Sequence, residues 1–188
     1  RNPAVVATDG FIGQMMEPLD LEPLVAEAPE KPWAVQGTRD TRLNLITSIH
    51  LDPDELEAHV RKLEAKYRQA ELREARHENY RVEDAEVLLV GYGIVSRVLR
   101  SVVDQARSQG LHAGLFRPIT LWPFASRALR ETAGQCQSVL VVEMSTGQMV
   151  EDVRLALDGK VPVEFYGRVG GNVPLADEVL ARLLAPVT

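Results

Sequence analysis

The sequence has little of the material from which metal and redox sites are built. It contains one cysteine, Cys136, and four histidines. A single thiol cannot form an internal disulfide, and it cannot supply the thiolate ligands of an iron–sulfur cluster. His59 and His77 fall in one helical pattern, but at ~1.5 Å of rise per residue they would stand about 27 Å apart. We therefore expect this chain to bind no metal ion by itself.

A basic surface and a long apolar run are also missing. The formal net charge is −6 and the sequence pI is about 5.3, whereas binding to nucleic acid requires a concentrated basic face. The arginine-rich stretch 61–76 interleaves acids with bases, which is typical of a solvated helix face. No apolar run approaches the ~18 residues that would span a membrane. These observations predict a cytoplasmic protein without nucleic-acid or membrane partners.

Several motifs that carry chemistry are absent. The sequence has no HExxH or CxxC, no phosphate-loop motif and no GxSxG nucleophile turn. We therefore expect no catalytic residue and no cofactor-binding residue. The sequence begins RNPAVV, without methionine and already in an apolar run. We expect it to be part of a longer protein.

The first half of the chain predicts few regular elements. Residues 2–8, NPAVVAT, read as a buried strand that ends at Asp9. Residues 18–49 are rich in proline and glutamate, which favours a linker with at most a short strand at 43–49. Asp52 and the proline after it are typical of a helix start, and apolar residues at intervals of three and four predict a helix from there to about residue 79.

Residues 85–188 alternate between apolar runs and helical patterns. The runs at 87–90, 112–116, 138–142 and 162–166 predict strands, and the patterns at 94–109, 124–134, 147–158 and 175–185 predict helices. This alternation favours a parallel sheet covered on both faces. The predicted fold is therefore α/β, a three-layer open sheet that is mostly parallel, preceded by an N-terminal strand and linker and one long helix.

The stretch VLLVGYGIVSRVL at 87–99 raises the possibility of nucleotide binding through Gly91 and Gly93. A strand that ends in G-x-G and opens into a helix is how a Rossmann fold binds a pyrophosphate. However, Ser96 stands at the third glycine position, and no acid follows about 20 residues later. Arg117 stands near that position, and an arginine there would bind only the 2′-phosphate of NADP. A free-standing nucleotide-binding module remains the alternative function.

A second turn follows the third predicted strand, in EMSTGQMVEDV. Ser145 and Gln148 match a capping box, which predicts that Ser145 accepts the Gln148 backbone N–H. Glu143 ends the strand. For its carboxylate, the turn N–H groups or an arginine such as Arg117 are the expected partners.

Five blocks in one order resemble a known family: DGFIGQMMEP, EDAEVLLVGYGIVSR, GLFRPITLWPF, VVEMSTGQMVEDVR and VPVEFYGRVGG. Together they resemble the C-terminal portion of the alpha-type, pyrimidine-binding subunit of 2-oxoacid:ferredoxin oxidoreductases of the 2-ketoisovalerate or 2-oxoglutarate type. The resemblance implies three segments. Residues 1–17 would be the closing strand of a truncated pyrimidine-binding domain, 18–84 a linker and long helix, and 85–188 a transketolase C-terminal-like domain.

The resemblance also implies a reaction and its partners. The family decarboxylates a 2-oxoacid oxidatively, transferring the acyl group to coenzyme A and electrons to ferredoxin. Thiamine diphosphate, magnesium and iron–sulfur clusters would be held by another, beta subunit, beside a gamma subunit. This chain would then serve subunit docking and scaffolding, and we expect Tyr92, Arg117 and Gln148 to contact other subunits. A related component that passes acyl groups to lipoamide is a further alternative.

Overall fold

The computed structural model describes residues 3–18 and 30–184. These residues divide into two compact units, one formed by 16–18 and 30–68 and the other by 3–15 and 69–184. In chain order the helices and strands are α1 (Pro53–Glu74), β1 (His77–Tyr80), β2 (Val87–Val90), α2 (Gly93–Ser108), β3 (Ala113–Pro118), α3 (Ser126–Ala133), β4 (Ser138–Glu143), α4 (Met149–Leu157), β5 (Val163–Gly167) and α5 (Ala176–Leu184). Among the described residues, no helix is both long and apolar enough to cross a bilayer.

Helix α1 begins where the sequence predicts. One carboxylate oxygen of Asp52 accepts the backbone N–H groups of Asp54 at 2.9 Å and Glu55 at 3.0 Å, as an N-cap does. The helix ends at Glu74, so the predicted end near residue 79 is wrong. The reason is tertiary pairing, because His77–Tyr80 form an edge strand, β1, that lies antiparallel to β3.

The remaining strands form a parallel sheet around β2. The order across the sheet is β1-β3-β2-β4-β5, and β3, β2, β4 and β5 run parallel. All four strands and four helices predicted beyond residue 85 are present, with ends that shift by two residues at most. The prediction of a mostly parallel α/β sheet is confirmed, but the sheet starts before the predicted boundary at residue 85.

The sheet is covered on both faces. Helices α2 and α5 pack on one face, and α3 and α4 on the other. The first face is built on Leu89, Leu115, Leu140, Val142, Leu99, Val102, Val103 and Val179. The second is built on Leu88, Val90, Phe116, Val139, Val141, Leu129, Val153 and Leu157. Alternate residues of each strand therefore serve opposite layers, as period-two side-chain geometry requires.

The strand predicted over residues 2–8 is not formed in the part of it that the structure describes. Residues 3–9 have no strand pairing, and Val5 and Val6 are 90% and 97% exposed. An extended segment becomes a strand only when a neighbouring strand satisfies its backbone, and none of the five strands here does so. The short strand predicted at 43–49 is likewise absent, because those residues are exposed and unpaired with the sheet.

Candidate functional site

Two loops leave the carboxyl edge of the sheet beside each other and then separate. The β2–α2 loop leads to one face, and the β4–α4 loop leads to the opposite face, although β2 and β4 are neighbours. In open α/β sheets this divergence creates a crevice at the carboxyl ends of the strands, where ligands bind. The crevice between β2 and β4 is therefore the first candidate site.

The N-terminus of α2 is occupied by a carboxylate from the start of the chain. The two Asp9 oxygens accept the backbone N–H groups of Ile12 and Ile94, each at 2.8 Å. Tyr92, at the N-cap position of α2, makes no side-chain capping bond. Asp9 thus supplies from a distant part of the sequence what a local cap residue normally supplies.

The glycines of the GYG turn suit this arrangement. Gly93 has φ of +58°, and a Cβ there would lie 2.5 Å from Asp9 Oδ2. At Gly91, a Cβ would lie 2.6 Å from the Leu99 side chain, so that glycine allows α2 to pack closely on β2. A phosphate at this helix end would have to displace Asp9. The turn therefore serves an internal carboxylate, which argues against dinucleotide binding there.

The N-terminus of α4 is filled in the same way, by Glu143. Its carboxylate accepts the N–H groups of Gln148 at 3.2 Å, Met149 at 3.0 Å and Val150 at 2.9 Å, and the side chain is buried, with the residue 1% exposed. Three N–H donors and the positive end of a helix dipole compensate the buried charge. The expectation that Glu143 satisfies the turn N–H groups is confirmed.

The predicted capping box at this turn is wrong. Ser145 Oγ accepts the N–H of Gly147 at 3.1 Å and donates to Glu143 Oε2 at 3.1 Å, so it does not take the Gln148 N–H. The strand-end carboxylate reaches further into the helix than a serine hydroxyl can. Ser145 instead fixes the carboxylate in place.

Tyr92 and Gln148 lie at this crevice and Arg117 does not. Burial, followed by the charges of Glu143 and Asp9, raises the pKa of the Tyr92 phenol above its ordinary value of 10.0. Gln148 is exposed and donates its backbone N–H to the same Glu143. Arg117 binds Glu78 on β1 at 2.8 Å and lines a separate pocket with α2 residues. The structure therefore brings two of the three predicted contact residues together.

A cleft of about 650 Å³ lies on the α3–α4 side of the sheet, between the end of α1, the loop before α3 and α4. Large apolar side chains on it are exposed, among them Leu72 (78%), Trp122 (60%) and Leu155 (80%). Sequence reasoning missed this surface, because the residues that form it are far apart in the chain. Charged side chains, among them Arg130 and Asp152, line the same cleft. Exposed apolar side chains within a polar surround are typical of protein contacts.

Metal and cluster ligands do not come together in the part of the chain that the structure describes. No group of three or more His, Cys, Asp or Glu side chains there could hold a metal ion. Cys136 is buried, and its thiol lies 3.3 Å from the Ala85 carbonyl, to which it donates. Burial raises the pKa of this thiol above its ordinary value of 9.0. The described residues therefore offer no ligand set that fits an iron–sulfur cluster or a magnesium ion.

Comparison with known proteins gives the family. Residues 85–179 match the model of pyruvate:ferredoxin oxidoreductase core domain II. Ketoisovalerate oxidoreductase subunit VorB of Methanothermobacter thermautotrophicus is 50% identical over 185 residues, which cover 97% of this chain and 52% of that subunit. 2-Oxoglutarate synthase subunit KorA of Methanothermobacter marburgensis is 36% identical over 102 residues, covering 54% of this chain and 27% of that subunit.

A solved structure agrees in fold. The 2-oxoglutarate:ferredoxin oxidoreductase from Magnetococcus marinus superposes with a TM-score of 0.63 at 23% identity, over 71% of this chain and 23% of that chain. The chain spans about half the length of the VorB relative. On the match of residues 85–179 and the similarity to VorB and KorA, the chain belongs to the 2-oxoacid:ferredoxin oxidoreductase family.

Proposed function

We propose that this chain is part of an enzyme that decarboxylates a 2-oxoacid oxidatively, forming an acyl-coenzyme A and reducing ferredoxin. The branched-chain substrate 2-ketoisovalerate is favoured over 2-oxoglutarate, because the ketoisovalerate relative is 50% identical and the 2-oxoglutarate relative 36%. We propose that the enzyme acts in the cytoplasm.

Within that enzyme, the proposed role of this chain is docking and scaffolding. One observation carries the proposal: two carboxylates of the chain itself, Asp9 and Glu143, occupy the helix N-termini at which a sheet of this type would bind a ligand. A filled crevice offers a fixed surface to other subunits. Rigid placement matters because misplacement by about 1 Å in an active site can cost ~100-fold in rate.

Thiamine diphosphate, magnesium and the iron–sulfur clusters are proposed to lie on other subunits, a thiamine- and cluster-binding beta subunit and a gamma subunit. The single, buried cysteine and the absence of a metal-ligand group among the described residues support this placement. When bound, thiamine diphosphate supplies the carbanion that attacks the keto carbon and the clusters accept the electrons singly. The contribution of this chain is to hold the surface against which those subunits pack.

Residues 1–17 are proposed to close the sheet of a pyrimidine-binding domain formed by preceding sequence. Val5 and Val6 are almost fully exposed, which suits a segment that pairs with strands of another domain. Asp9 follows this segment directly and binds Ile94 of α2. The same carboxylate would therefore connect the two domains and fix the position of one against the other.

Tyr92, Arg117 and Gln148 remain our candidates for subunit contact, and the cleft around Trp122 and Leu155 adds a further surface. Exposed Leu72, Trp122 and Leu155 in this cleft support a protein partner. All of these residues lie within residues 69–184, in one compact unit.

The proposal is tested by co-expressing the full-length protein with its partner subunits. The purified complex should contain thiamine and iron, reduce ferredoxin with 2-ketoisovalerate and coenzyme A, and show little activity with lipoamide as acceptor. Leu155→Glu should lower the yield of complex, while Glu164→Gln, an exposed change on β5, should leave it unchanged. Thiamine or iron bound by this subunit alone would contradict the proposal.

A further inference from the structure

Three arginines surround a small cavity on the α2 face of the sheet. Arg97 and Arg100 from α2 and Arg117 from β3 line it together with Ser96 and Leu115, and its volume is about 250 Å³. The cavity is separate from the crevice between β2 and β4. No motif indicates it, because the arginines come from two elements that the fold brings together.

Two of the three arginines, Arg100 and Arg117, are held in place by residues of the edge strand β1. Glu78 on β1 lies opposite Arg117 on β3 in the strand register. Its two oxygens accept one hydrogen bond from Arg117, at 2.8 Å, and one from Arg100. The Arg100 guanidinium also lies over the Tyr80 ring, 4.5 Å from the ring centre. These contacts fix two guanidinium groups at the cavity before any ligand arrives.

Within the group formed by Arg100, Arg117 and Glu78, positive charge exceeds negative charge. Glu78 is one carboxylate shared by two guanidinium groups, and each guanidinium has five N–H donors, of which one is given to Glu78. The side chains of Arg100 and Arg117 are 47% and 42% exposed, so the remaining donors are accessible from solvent. An anion that enters here meets preorganised donors and a net positive charge.

We propose that this arginine pocket binds a phosphate group, either as the free ion or as part of a small ligand. Guanidinium forks match phosphate oxygens in pairs, and a tetrahedral phosphate can engage more than one fork at the same time. The small cavity suits one such group rather than a whole nucleotide. Two sources share this chemistry, free inorganic phosphate and a phosphate of coenzyme A. Only the second source rests on the proposed function.

The test is calorimetric titration of the full-length protein in its complex with inorganic phosphate and, separately, with coenzyme A. Arg100→Gln and Arg117→Gln should each weaken phosphate binding about tenfold, as expected for loss of a charged hydrogen bond. Arg154→Gln is the matched control, because Arg154 is 50% exposed and pairs with Glu151 at 2.8 Å, like Arg117 with Glu78. The control should bind phosphate as the unmodified protein does.

A second variant keeps both arginines. Glu78→Gln keeps one side-chain oxygen that can accept a hydrogen bond from the arginines but removes the competing charge, so it should tighten phosphate binding by about fivefold, the effect of one unit charge at ~4 Å in water. This variant tests the pocket even if the arginine variants fold poorly.

The titrations with coenzyme A identify the source of the phosphate group. If the arginine variants weaken coenzyme A and phosphate by the same factor, and phosphate competes with coenzyme A, the pocket binds coenzyme A. If the arginine variants weaken the binding of phosphate but not that of coenzyme A, the ligand is the free ion. Equal phosphate affinity in all variants, or no saturable binding, would overturn the inference. So would arginine variants that lose partner subunits without any change in phosphate binding, because the pocket would then receive a protein carboxylate. None of these binding results depends on oxidoreductase activity.

Discussion

Replacing Glu143 should release the start of α4 while leaving the rest of the sheet folded. The carboxylate is buried and accepts three backbone N–H groups of that helix. Glu143→Gln keeps the shape, but it turns one acceptor oxygen into an NH₂ donor that faces N–H donors. Loss of the charged acceptor and of its dipole interaction together should cost about 2 to 3 kcal/mol.

The cost should be visible locally by hydrogen exchange. For local opening, about 2 to 3 kcal/mol corresponds to roughly 30- to 150-fold faster exchange of the amides at the start of α4, since ~1.4 kcal/mol is a factor of ten. Glu143→Ala should exceed this, because it leaves the same N–H groups without an acceptor and removes buried volume. Exchange in β2 should change little.

Glu164→Gln is the control for the loss of one glutamate charge, because Glu164 is exposed on the neighbouring strand β5. It should leave α4 exchange unchanged. If Glu143→Gln exchanged at the start of α4 no faster than this control, the buried charge would not be what stabilises the helix, and the reasoning would be refuted.

Three further changes test the same edge of the sheet. Asp9→Ala should lower the free energy of unfolding by about 0.5 to 2 kcal/mol, as loss of a helix cap does, and should speed hydrogen exchange of the Ile94 amide. An Ile94 amide that exchanges as slowly as in the unmodified protein would show that Asp9 does not cap α2. Gly93→Ala should cost about 1 to 3 kcal/mol, because φ is +58° and the new Cβ would meet Asp9; thermal unfolding checks this, and an unchanged midpoint would contradict it. Above pH 10.0, the free energy of unfolding should fall less steeply with pH in Tyr92→Phe than in the unmodified protein. The folded state holds the phenol proton more tightly than the unfolded state, so the stabilisation from Tyr92 falls as pH rises from the unfolded pKa through the folded pKa. Denaturant unfolding on both sides of that pH measures this, and parallel pH profiles would exclude it.

The fold of residues 85–184 was predictable because local and tertiary signals agree there. Each apolar run is short enough for a buried strand, and each helix has its own apolar stripe. Prediction failed where pairing partners decide the outcome. Residues 77–80 continue a helical pattern, yet they pair with β3. Residues 3–8 have the composition of a strand, but the described chain offers them no neighbour.

The candidate site was predictable only in part. The GYG turn and Glu143 could be singled out from the sequence, because each comes directly after an apolar run that predicts a strand. The position of Asp9 against Ile94 could not, since the two residues are 85 positions apart and no local pattern joins them. The arginine pocket was missed for the same reason, because Glu78 and Arg117 are 39 positions apart.

The most direct test of the account is a titration of the full-length protein with NAD, NADP and ATP, followed by calorimetry. If Asp9 fills the turn between Gly91 and Gly93, none of the three nucleotides should give saturable heat through that turn. Binding that Gly93→Ala abolishes, with Asp9 displaced from Ile94, would contradict the account.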